Sequence, residues 1–170
     1  DEMSSWTDAA RTQSATLLQT LFVYHEDHVT EKLAKVVMAL CKALKRGRNE
    51  RYGQDHRASV LECGRVLGRY VVPDSFVPFL APRVAGDLGV LPGGIDADSR
   101  ADVTDLLASM IRGAKGSSVL PHFTPLSEVL IDPALVGTTS PRLRDSALAA
   151  CAALSAVVAS SKDALAASFV

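Results

Sequence analysis

With 170 residues, 48% of them apolar and 22% charged, the chain has enough hydrophobic surface for one substantial core and is neither disordered nor forced into two domains. A formal net charge of −1 excludes a global pull toward nucleic acid or an anionic membrane. Aromatic residues make up only 5% against a background of Ala, Leu and Val, which favours packed helices over a β-sandwich.

In chain order, a first helix is expected from a cap at Ser4, Ser5 or Thr7 to about Tyr24, burying Ala10, Leu17, Leu18, Leu21 and Phe22, with Trp6 over its first turn. His25–Val29 reads as a turn. Thr30 then caps a second helix, with Glu31 in the first turn where the dipole favours an acid. Its stripe is Leu33, Val36, Val37, Leu40, Cys41 and Leu44, and Lys45, Arg46 and Gly47 suit its end. Arg48–Gln54 is loop-like. Asp55 is expected to cap a third helix bearing Val60, Cys63, Leu67, Tyr70 and Val71. Pro73 breaks that helix, and a fourth follows with Phe76, Phe79, Leu80 and Val84, kept short or bent by Pro78 and Pro82. Gly86–Ala97 is the longest loop.

Val103–Ala114, with its lead-in Asp98–Asp102, carries the clearest stripe. Val103, Leu106, Leu107, Met110 and Ile111 fall at i, i+3, i+4, i+7 and i+8. Asp98 or Ser99 is the expected cap, Gly113 and Gly116 the expected end, and Leu120–Ile131 a proline-opened partner helix. After a turn region at Asp132–Ser140, Ser140 caps a helix opened by Pro141 and carrying Leu143, Ala147, Cys151, Leu154 and Val158. Lys162–Val170 is expected to begin a further helix behind Ser160 or Ser161.

These hairpins recur. The expected caps Asp55, Asp98 and Ser140 are 43 (98 − 55) and 42 (140 − 98) residues apart, inside the roughly 40–47-residue period of HEAT and armadillo arrays. The proline pattern recurs as well: VVPDSFVP around Pro73 matches VLPHFTP around Pro121. The fold class that follows is all-α, an α-solenoid of about four HEAT-like antiparallel helix pairs. The repeats are expected at about 5–47, 55–86, 98–131 and 140–170, in one segment spanning 1–170. Because the chain opens on Asp1 and stops inside an apparent helix, it reads as a fragment of a longer protein.

Compartment and chemistry follow from single residues. Cys41, Cys63 and Cys151 all fall in apolar-periodic stretches and read as core thiols in a reducing, cytoplasmic setting. No signal peptide opens the chain, and the apolar run Ala147–Val158 is shorter than the roughly 20 residues a bilayer span requires. HEDH at His25–His28 has its histidines at i, i+3 in a turn. A zinc helix needs i, i+4, so no metal site is assigned. GAKGSS at Gly113–Ser118 leaves a helix rather than a strand and places Lys115 before its last glycine, which a phosphate loop does not do. No catalytic, cofactor-binding or metal-binding residue is expected. Gly64 and Gly68 share the i, i+4 spacing of a helix face and read as a site of close helix approach. The strongest surface feature is Lys42, Lys45, Arg46, Arg48 and Arg51, opposed only by Glu50. This cluster is either a solvated helix end or a contact for a partner.

Two stretches, GRVLGRYVVPDSFVPFLAPRV (Gly64–Val84) and LLASMIRGAKGSSVLPHFTPLSEVL (Leu106–Leu130), resemble the HEAT-repeat family of cytoplasmic axonemal dynein assembly factors over roughly the middle half of the chain. The resemblance implies a non-enzymatic scaffold used while dynein motors are assembled for cilia. It also implies protein partners (dynein chains, other assembly factors or chaperones) and no catalytic residues to carry over. The alternative is a nucleic-acid or tubulin-tail binder built on the basic cluster, disfavoured by the scarcity of aromatic residues for stacking.

Overall fold

A computed structural model describes residues 2–24, 29–47, 53–87 and 95–167, with side chains described from Ala10 onward except for 11, 46–47, 53–54 and 162–167. Its elements are α1 (Glu2–Tyr24), a 3-10 turn (Thr30–Lys32), α2 (Leu33–Gly47), α3 (Gly53–Tyr70), α4 (Pro73–Ala85) and α5 (Ala97–Gly113). After these come α6 (Gly116–Val119), a second 3-10 turn (Leu120–His122), α7 (Phe123–Leu130), α8 (Pro133–Val136) and α9 (Pro141–Ala167). Among the described residues there is no strand.

The helices form two rows. In the first, α1, α3, α5 and α9 pack side by side in sequence order through the largest interfaces of the molecule. In the second, α2 packs on α3 and α5, α4 on α5 and α7, and α6, α7 and α8 on α9. Gly53, Ala97 and Pro141 open α3, α5 and α9 at 44-residue intervals (97 − 53 and 141 − 97). Each module rests on the next in order, the geometry of an α-solenoid.

From Ala101 to Ile111 the central helix α5 is buried except at Asp105. Leu106, Leu107, Met110 and Ile111 are fully buried, as are Ala101, Thr104 and Ala108 on its other faces. Each large aliphatic side chain removed from water here contributes about 1.5–3 kcal/mol. The expected stripes of α2, α3 and α4 are buried as well, through Leu33, Val37, Leu40 and Leu44, then Val60, Cys63, Leu67 and Val71, then Phe76, Leu80 and Val84. Small residues let α3 and α5 touch. A Cβ on Gly68 would lie 2.0 Å from the Met110 carbonyl oxygen, and one on Gly113 would lie 1.8 Å from the Arg65 carbonyl oxygen. Gly116 is tight against α9, where a Cβ would meet Ser161 Oγ at 1.7 Å.

Several expectations need correction. On α1 Ala15 and Phe22 are buried and Leu18 packs partly against the core, as expected of Phe22 and Leu18, whereas Leu17, at 61% exposed, and Leu21 face outward, because α1 rests mainly on α3. Ala10 is also exposed. Cys63 is buried, but Cys41 and Cys151 are only half-buried, and all three thiols are free. Thr30 opens a 3-10 turn with no side-chain cap, and α2 starts at Leu33. Asp55 sits in the first turn of α3 rather than at its cap. The cap of α5 is Asp96: its Oδ1 accepts from the Ser99 N–H at 2.8 Å, and the Ser99 hydroxyl donates to its Oδ2 at 2.6 Å. Asp98, in the first turn of α5, instead reaches Arg142 of α9.

The turn region before α9 contains α8, capped by Asp132 through the Ala134 N–H at 2.7 Å. Ser140 does cap α9, accepting from the Leu143 N–H at 3.4 Å. No helix boundary occurs at Ser160 or Ser161. The Ser160 hydroxyl donates back to the Val157 carbonyl at 2.9 Å instead of capping forward, and α9 continues to Ala167. Its Pro141–Ser161 portion is 21 residues with mean hydropathy 1.4, long and apolar enough by composition to cross a bilayer, a longer stretch than Ala147–Val158. Its inner face, Leu143, Ala147, Ala150 and Leu154, packs on the core.

α4 ends on Gly86 at φ 87°, with the Asp87 N–H donating to the Pro82 carbonyl at 2.9 Å. That left-handed residue lets the chain turn back. Arg100 completes the end by donating to the Val84 carbonyl from Nε at 3.1 Å and from Nη2 at 3.0 Å, placing a cation at the negative pole of α4. Residues 88–94 of the Gly86–Ala97 loop and the HEDH turn at His25–His28 lie outside the described residues.

Candidate functional site

The helix ends of the first row meet in an ion network that the sequence reading did not single out. Asp102 of α5 is 2% exposed in its side chain, and its Oδ1 accepts from Arg57 Nη1 of α3 at 2.8 Å and from Arg142 Nη2 of α9. The second Arg57 nitrogen pairs with Asp105, and Arg142 Nη1 pairs with Asp98 Oδ1 at 3.2 Å. One buried carboxylate thus ties three consecutive modules together. Burial alone would lower the pKa of Arg142, but hydrogen bonds and charge from Asp102 and then Asp98 outweigh it and hold the guanidinium above its ordinary value.

Above this network, between α2 and α5, lies an open groove of about 470 Å³. Met38, Ala39, Cys41, Lys42 and Lys45 of α2 line one side, and Ser99, Asp102 and Val103 of α5 line the other. Met38 is 53% exposed, whereas the other large apolar side chains of α2 are buried or half-buried. Met38, Lys42 and Lys45 stand at i, i+4 and i+7 and so form one ridge of α2. Both lysines are exposed, and neither makes an ion pair with a described residue. Cys41 is pushed up to about 11, first by burial and then by the Asp102 carboxylate, against the charge of Arg83. It is therefore a thiol at neutral pH and a poor nucleophile. Such a surface can recognise a ligand through an apolar floor and a cationic rim.

Of the five cations singled out from sequence, the structure brings Lys42 and Lys45 to this groove. Arg46 lies in the last turn of α2 with its side chain outside the described set, and Arg48 and Arg51 lie outside the described residues. Met38, Val103 and the Asp102 network were missed. The available signal was Asp102 itself, an acid set between Ala101 and Val103 where the stripe turns inward. Arg65 and Glu62 form a bidentate pair on the open face of α3, 2.8 and 2.6 Å, away from the groove lining.

A profile of the HEAT-repeat domain of dynein axonemal assembly factor 5 matches residues 1–169. The mouse protein named dynein axonemal assembly factor 5 is 27% identical over 135 residues, covering 76% of this chain and 13% of its own length. The chain therefore spans about an eighth of that relative, and no solved structure matches it. With the stacked modules and a profile match over nearly the whole chain, the protein belongs to the dynein axonemal assembly factor 5 HEAT-repeat family.

Proposed function

We propose that this chain is a non-enzymatic protein-binding segment of a HEAT solenoid that assists preassembly of axonemal dynein in the cytoplasm, before delivery to cilia. The observation that carries the reading is the uncovered Met38–Lys42–Lys45 ridge beside an apolar groove, on a chain of this family. The mouse relative is named for axonemal dynein assembly, which points to dynein chains, other assembly factors or chaperones as partners. Recognition fits the groove better than catalysis, since its thiol is held protonated and its Ser99 hydroxyl is committed to Asp96. A soluble role accords with the inner face of α9 being packed on the protein core.

Tagged protein recovered from ciliating cells should enrich axonemal dynein chains. The Lys42→Glu/Lys45→Glu variant should lose several-fold of that enrichment at an unchanged melting temperature. Enrichment no greater than that of an unrelated HEAT protein would contradict the proposal. The two lysines, without an ion partner among the described residues, also support a second reading, in which Lys42, Lys45, Arg46, Arg48 and Arg51 grip nucleic acid or an acidic tubulin tail. Binding to duplex or single strands that falls steeply with salt would favour the nucleic-acid form.

A further inference from the structure

We propose that the groove between α2 and α5 seats a short acidic segment of a protein partner, with an aliphatic side chain against Met38, Ala39 and Val103 and flanking carboxylates on Lys42 and Lys45. The proposal deepens the scaffold reading and rests on α2 being a partner-facing helix. Size comes first: about 470 Å³ is within the roughly 300–1,000 Å³ of ligand-holding clefts. That space suits a few side chains and is too small for a globular domain.

Charge selects the occupant. Lys42 and Lys45 are one helical turn apart on the rim, exposed and without an acid partner among the described residues. Asp102, the acid among the described residues lining the groove, is held by Arg57 and Arg142 and almost wholly buried. A basic segment would meet two lysines and a carboxylate already engaged by two guanidiniums. An acidic segment would meet two cations ready to pair. The half-exposed Met38 adds a soft, adaptable apolar contact. Among the described residues no aromatic side chain lines the groove to stack a base, which places nucleic acid behind an acidic peptide.

The test places the photo-crosslinker benzoylphenylalanine at position 38 of the protein in ciliating cells, with the adduct sites sequenced by mass spectrometry. Adducts should fall on segments of net negative charge that contain an aliphatic residue. They should drop at least five-fold in the Lys42→Glu/Lys45→Glu background. A synthetic peptide of the captured segment should bind the purified protein, with affinity at least ten-fold weaker for the charge-reversed variant. A Lys42→Gln/Lys45→Gln variant, milder for folding, should show an intermediate loss. Adducts on basic segments, on nucleic acid or on another part of this chain would overturn the inference, as would adducts indifferent to charge reversal or none at all. An acidic segment captured from a protein outside dynein assembly would keep the groove assignment and remove the dynein reading. Dynein chains that co-purify while position 38 yields no acidic adduct would do the reverse.

Discussion

Gly64 and Gly68, one turn apart on α3, differ sharply in what a methyl group would meet. At Gly68 the obstacle is the Met110 backbone, which cannot swing away, so Gly68→Ala should lose about 3 kcal/mol or more by urea denaturation. At Gly64 the nearest atom is Leu106 Cδ1 at 2.6 Å, the far end of a side chain, and alanine regains about 1 kcal/mol of helix propensity. Gly64→Ala should therefore stay within about 1 kcal/mol of the parent. Equal losses at the two positions would show that the close approach of α3 and α5 is not what requires glycine. Cys41 gives a pH-dependent counterpart. Its folded pKa is raised from 9.0 to about 11, so its contribution to stability is fully present below pH 9.0 and lost as pH rises through about 11. The stability difference between the parent and Cys41→Ala, followed by urea midpoints, should shrink across that window. A difference flat from pH 8 to 11 would contradict the burial and the Asp102 field assigned to this thiol. The i, i+4 glycine spacing could be read from sequence; the identity of the opposing atom could not, because it belongs to another module.

Among the elements, an exposed ion pair within α3 and the buried one that joins α3 to α5 are predicted to differ by a wide margin. Arg65–Glu62 is close to half-exposed on both sides, so water and salt screen it, and Arg65→Ala should cost less than about 1 kcal/mol. Glu62 is held below its ordinary carboxylate value by the Arg65 hydrogen bond, so what little the pair contributes is present above that value and lost as pH falls below it. Asp102 is the opposite case. Asp102→Asn strips a buried charge from between Arg57 and Arg142 and should cost about 3–5 kcal/mol, read as a shift in denaturation midpoint. A loss below about 1 kcal/mol would mean that the three modules are held by apolar packing alone. Sequence periodicity located these helices because each buries a stripe against a neighbour. It misplaced caps where two acids compete: Asp96 takes the α5 cap, which releases Asp98 to Arg142. It also read a break at Ser160, where the hydroxyl bonds backward into the helix instead.

For the molecule as a whole, a recurring module, read from sequence at 42–43 residues and found at 44 between helix starts, was legible because each hairpin exposes apolar faces that another hairpin covers. The groove was legible only in part. Lys42 and Lys45 stood out as charge, but their juxtaposition with Val103 and Asp102 arises from α2 bridging α3 and α5, a contact between residues some sixty positions apart in the chain. The most direct measurement is replacement of the protein in ciliating cells by the Lys42→Glu/Lys45→Glu variant, expressed and folded to parental levels, with axonemal dynein arms counted by electron microscopy. A face that recruits partners during dynein assembly predicts axonemes depleted of arms. Arms restored to the number seen with the parent protein would contradict the account.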